Sequence, residues 1–187
     1  MTLSVRERAD TVGTLRHVAV FAMETLARWV PTTPELEAKV LFGRHIWEFA
    51  QHADMLGKRT HELRAALHYS PAPTADYLSA LREWRELQDT GARIASCYDA
   101  LLPDLTSRCG GYIEATDVFL DEPSVRVIER ILADHPRMIT ESHALRRERP
   151  ELDGGTATAS ALRARLSACA TYVQFRAPVA GAAERLA

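Results

Sequence analysis

His45, Glu48 and His52 follow one another at intervals of three and four residues. On a helix that spacing puts all three on one face, about one turn apart. Two imidazoles and a carboxylate that converge on one point can hold a transition metal such as iron, manganese or zinc. The same groups can move protons, because a histidine titrates near neutrality. His135 is a fourth candidate, and Pro136 follows it directly. Proline removes a backbone hydrogen bond and can kink a helix, so an inward-facing His beside it can border a small polar pocket. The plain alternative is that these are core histidines, satisfied by each other, by Gln88 or by tyrosine hydroxyls.

The elements that would carry these residues read as helices. Ser4 and Glu7 form a capping box that opens a first helix ending near Val30, before Pro31. Thr33 caps a second, with Pro34 in its first turn, which runs to about Leu67. A third is expected from Thr74 to Leu102, where Pro103 breaks it. A shorter helix follows from Asp104 to Leu120, weakened at Gly110 and Gly111, and the next restarts at Pro123 and runs to Arg149. Gly154 and Gly155 read as a joint before a last helix from Thr156 to Val173 and a frayed tail containing Pro178 and Gly181.

No segment of strand length alternates, so the fold class is all-α: a helical bundle over residues 1–153, then a C-terminal helix and tail over 154–187. Counting faces puts Phe42, Ile46, Phe49, Ala53, Leu56, Leu63 and Leu67 inward on the second helix, with His45 and His52 just off the stripe and Glu48 at its margin. His135 falls within the apolar row Val125, Ile128, Ile131, Leu132 and Ile139. On the third helix Gly91 and Ala95 leave room that a substrate or a neighbouring tryptophan could fill.

Composition narrows the function classes. The 187 residues are 47% hydrophobic and 26% charged, which excludes a disordered chain. A net charge of −2 is not the electrostatic footprint of a nucleic-acid binder or a polybasic membrane binder. Cys97, Cys109 and Cys169 lack metal-ligand spacing and read as thiols in a reducing compartment. The N-terminal MTLSVRERAD has no apolar core, and no apolar run approaches membrane length, so a cytoplasmic protein is expected. Only Lys39 and Lys58 are lysines, leaving 21 of the 23 basic residues as arginine, a bias read as a GC-rich bacterial genome. Neither a phosphate loop nor a nucleophile elbow is present.

The segments HIWEFAQHADMLGKRTHELR and DEPSVRVIERILADH resemble the ferritin-like superfamily of helical bundles, and look closest to bacterial members tied to small-molecule metabolism. The resemblance spans roughly Ser4 to Arg149 and implies a four-helix bundle with additional short helices. It also implies a di-iron or di-manganese centre, with one Glu from each of two helices and a Glu-x-x-His from each of the others. Carried across, Glu24 and Glu114 take the single-carboxylate places, although Glu24 lies opposite the apolar stripe of its helix. Glu48 takes the second-helix place, but Gln51 stands where His is expected and His52 comes one residue later. Near His135 the motif reads Asp134-His-Pro-Arg137, without its histidine. The implied ligand set is therefore Glu24, Glu48, His52, Glu114 and His135, with the motif degenerate.

Three readings follow. The first is an enzyme acting on a small organic molecule through His45, Glu48, His52 and His135, assisted by iron or manganese or working by acid–base chemistry alone. The second is a di-iron oxidase or oxygenase with unusual ligands. The third is a metal-free binding or partner protein that kept the fold. The last helix, rich in Ala157, Ala161, Ala164 and Ala168, suits contact with a second copy in a homodimer.

Overall fold

The computed structural model describes residues 2–177, and among these all regular secondary structure is helical. The expected tail residues Pro178 and Gly181 lie outside the described residues. Helix α1 (Val5–Trp29) begins as expected: Ser4 Oγ accepts the Glu7 amide, and the Glu7 carboxylate accepts the Ser4 amide at 2.8 Å. Thr33 does not cap the second helix. Its hydroxyl donates back to the Trp29 carbonyl at 2.9 Å, and α2 (Leu36–Glu62) starts after Glu35. Nor does α2 reach Leu67, because Arg64 and His68 take left-handed backbone conformations that turn the chain.

The long third helix is interrupted. Helix α3 (Ala75–Arg85) stops, and Asp89 opens the next helix by accepting the Ala92 amide at 2.7 Å. Carboxylate capping of this kind satisfies an amide that the first turn leaves free. From there α4 (Thr90–Ala95), a π-helical stretch (Ser96–Leu101) and α5 (Leu102–Ala115) form one unbroken run. Pro103 therefore does not end a helix. In the wide turn before it, the Leu102 amide reaches back five residues to Cys97, and the Asp99 carbonyl that a proline leaves unpaired accepts the Arg163 guanidinium. Helix α6 (Glu122–Glu148) runs through Pro136, and α7 (Thr156–Ala168) follows.

Helices α1 and α2 pack along each other, α6 lies on α2, and α5 lies on α6. Trp29, Trp84 and Phe42 pack at one end of the core, with the two indoles edge-on at 5.0 Å. Helix α7 packs on the π-helical stretch and against α3 and α4, burying Leu162 and Leu166, while Ala157, Ala161, Ala164 and Ala168 face outward. The Thr74 amide donates to Tyr172, and Arg176 to the buried Asp10, so residues beyond 153 belong to the same packed body.

The space expected at Gly91 is filled by the turn before α7: a Cβ there would lie 3.1 Å from the Leu152 carbonyl oxygen. Gly155, read above as part of a joint, is a close-packed corner. It has φ +83°, and a Cβ would lie 2.4 Å from Ala92 Cα. Gly155→Ala is therefore expected to cost about 2 kcal/mol or more, from the left-handed backbone and the displaced helix. Urea midpoints check this, with Gly154→Ala, whose Cβ meets nothing within 4 Å, expected to change little.

Candidate functional site

Helix α2 carries His45, Glu48 and His52, and α6 presents Asp134, Arg137 and Glu141 at the same spacing. The two rows meet antiparallel as three rungs. His45 Nε2 lies 3.1 Å from Glu141, Arg137 donates to Glu48 at 2.8 Å, and His52 Nε2 lies 3.2 Å from Asp134. Arg137 also reaches Asp134 at 3.2 Å and Glu141 at 3.3 Å, so a single guanidinium sits among three carboxylates. Arg44 adds a third bond to Glu141 at 3.0 Å.

The carboxylates fix the tautomers. Each ionised acid can only accept, so Nε2 of His45 and of His52 carries the proton. His45 Nδ1 then accepts from the Tyr98 hydroxyl, 2.6 Å away, which gives the chain Tyr98–His45–Glu141. Thr106 spends its proton on the Leu102 carbonyl and so accepts from His135 Nδ1–H at 2.8 Å, leaving Nε2 of His135 unprotonated. The His52 and His135 rings stand 5.7 Å apart. Beside them a void of about 20 Å³ is lined by Leu105, Cys109 and Ile131 among others.

Burial sets the charge states. It holds His135 neutral, with its pKa pushed down to about 3, and the neighbouring His52 acts in the same direction. Burial also lowers His52 and His45, opposed but not cancelled by their bonds to Asp134 and Glu141. For Asp134 and Glu141 burial acts upward. Hydrogen bonds from His52 and Arg137 to the first, and from Arg44 and His45 to the second, outweigh it and leave both below the usual carboxylate range. The site is thus neutral imidazoles facing ionised carboxylates.

One donor atom each from Glu48, His52 and Asp134 lies within 4.8 Å of the others, a spacing from which a single cation could be chelated. Sequence reasoning placed His45, Glu48, His52 and His135 together, and the structure gathers them along one interface. It does not bring in Glu24 or Glu114. Glu24 is exposed and paired with Arg85 at 3.3 Å, and Glu114 is also exposed. The di-metal ligand set implied by the resemblance is therefore not assembled, because its two single-carboxylate positions, Glu24 and Glu114, fall on outward faces. Gln88, offered above as a partner for the histidines, is exposed and donates to the Glu86 carbonyl.

Sequence reasoning offered tyrosine hydroxyls as partners for the histidines without singling out Tyr98, missed Thr106 and Glu141, and saw Asp134 and Arg137 only as departures from a motif. The signal was the repeated spacing 134, 137, 141, which matches 45, 48, 52 on the facing helix. A groove of about 600 Å³ lies elsewhere, between α5, α7 and the segment from Cys169 to Phe175, and none of the candidate residues lines it. Comparison with known protein families, curated proteins and solved structures finds no match to this chain.

Proposed function

We propose that this chain is a helical enzyme of ferritin-like architecture that holds one divalent transition metal between α2 and α6 and acts on a small organic molecule there. The observation that carries the reading is the convergence of Glu48, His52 and Asp134 from two helices. Two carboxylates offset the charge of a divalent ion, and a neutral His52 needs only to move its proton from Nε2 to Nδ1 for Nε2 to ligate beside Asp134. Bound metal would supply Lewis-acid or redox chemistry. The chain's own residues do the rest: Tyr98 orients His45, Glu141 holds the His45 Nε2 proton, and Thr106 fixes His135. A substrate would approach from the side where Arg137, 42% exposed, now caps the carboxylates.

Arg137 also favours a second reading, in which the rungs are a structural ion-pair lattice with no ligand. Titration with Mn²⁺ and Zn²⁺ separates the two. The metal reading expects about one ion per chain, at least tenfold weaker binding in His52→Ala, and tighter binding in Arg137→Ala, where the competing cation is gone. Failure of the wild-type chain to retain an ion, or identical affinity in His52→Ala, would leave the lattice.

A further inference from the structure

Leu36, Val40, Gly43 and Trp47 follow one another along α2 at intervals of four, three and four residues, the spacing of a seam between two packed helices. The seam lies on the side of α2 turned away from the core. Leu36, Val40 and Trp47 are 70%, 55% and 65% exposed, and Gly43 is exposed as well. Large apolar side chains aligned on a surface mark a place that something covers. Gly43 is a second, independent sign. Glycine inside a helix destabilises it relative to alanine, and a Cβ at this position would meet nothing within 4 Å, so no contact among the described residues calls for it. A second backbone crossing at this point does.

We infer that this face joins two copies of the chain, through antiparallel α2 helices that cross at Gly43. A two-fold interface must be self-complementary, and this one is. Beside the seam a groove of about 390 Å³ opens between α2 and α6, walled by Leu36, Val40, Ala144 and Leu145. Its α2 residues run from Leu36 to Arg44 and so centre on Val40, and the midpoint between Val40 and Trp47 falls beside Gly43. A two-fold axis there seats Trp47 of each copy in the hole between Leu36, Lys39, Val40 and Gly43 of the other. Lys39 then lies against the indole face as a cation–π pair. Arg44 and Glu141 form another wall of the groove, so the same indole shields the rung that holds His45. Glu35, Glu37 and Asp54 flank the seam alongside Lys39 and Arg44, a mixture of signs that suits a second copy and not an anionic lipid surface. None of this depends on a bound metal.

Sedimentation equilibrium of the full chain tests the assignment. A contact built on one helix pair is small, so a dimer with half-dissociation near ~10 μM is expected. Dilution through that range should shift tryptophan emission to the red, since Trp29 and Trp84 are already buried within each copy and only Trp47 changes its surroundings. Trp47→Ser should weaken association about thirtyfold or more. Gly43→Gln should do the same while keeping or raising helix content, because a wedge enters the crossing as a glycine leaves the helix. Phe119→Ser removes a 91%-exposed ring from the turn between α5 and α6 and should leave association unchanged. A chain that stays monomeric at ~200 μM overturns the assignment. So does a dimer that survives Trp47→Ser or Gly43→Gln, as one built on the alanine face of α7 would.

Discussion

Asp121→Ala lowers the stability of this protein by roughly 3–5 kcal/mol, the cost of leaving a buried charge without its partner. Asp121 is fully buried, and its carboxylate accepts from Arg59 at 2.9 Å, Ser124 at 2.6 Å, Tyr112 at 2.6 Å and Thr116 at 2.8 Å. Burial acts to raise its pKa, yet these bonds together hold it below the ordinary value. The residue ties the end of α5 to the start of α6, and through Arg59 it ties both to α2. Truncation removes four acceptor contacts and leaves the Arg59 guanidinium, itself 9% exposed, with Ser124 and the largely exposed Glu62 as its remaining partners. A domain of ordinary stability, about 5–15 kcal/mol, would be left marginal or unfolded at 37 °C. Urea denaturation checks this, and Asp121→Ala combined with Arg59→Met should recover part of the loss because a buried charge that has lost its buried counter-charge is gone. A midpoint unchanged in Asp121→Ala would mean that Arg59 finds water in the folded state.

Acid weakens the fold well before the carboxylates titrate. His45, His52 and His135 all have pKa values depressed by burial, the last to about 3. Unfolding returns each to about 6.5, so the unfolded chain takes up protons that the native chain refuses. Their stabilising contribution is complete above that value and declines as pH falls through and below it. Each histidine contributes a slope of up to about 1.4 kcal/mol per pH unit. Asp99, Asp121, Asp134 and Glu141, all held below their usual values, add a further loss in the acid range below about 4.5. Unfolding free energy measured from pH 7.5 to 5 should therefore fall steeply. In His135→Phe the slope should be shallower by about one proton, whatever the absolute stability of that variant. A flat profile down to pH 5 would show that the native histidines protonate freely.

The helical class and most of the inward faces were legible because apolar side chains recur at helical spacing, as in Val12, Leu15, Ala19 and Leu26, all buried. The exposure of Glu24 was legible by the same count, which set it opposite that stripe against the expectation carried by the resemblance. Helix ends were less legible where a side chain overrides local signals. Asp89 starts a helix inside an unbroken periodic run, and Pro103 passes through one because the backbone had already widened ahead of it. Only half of the candidate site could be read. A row of His and Glu on α2 advertises chemistry, whereas Asp134, Arg137 and Glu141 look like any solvated face until α6 is known to lie across α2. Asp121, just ahead of the restart at Pro123, gave no sign of its role, since Arg59, Tyr112, Thr116 and Ser124 reach it from separate parts of the chain.

The π-helical stretch from Ser96 to Leu101 also sets a rotational phase. A π turn acts as a one-residue insertion in an α-helix, and each residue turns the following chain by about 100°. Tyr98, within that turn, points to His45, while Thr106, beyond it, points to His135. Deleting one residue here would restore regular pitch and swing α5 by that angle, carrying Thr106, Leu105 and Cys109 off the core. Met138 and Ile131 on α6 could not compensate, because they are already packed against the rest of the bundle. The extra residue thus works as a phase shifter, letting one continuous helix address two positions of the site that a uniform pitch would place out of register.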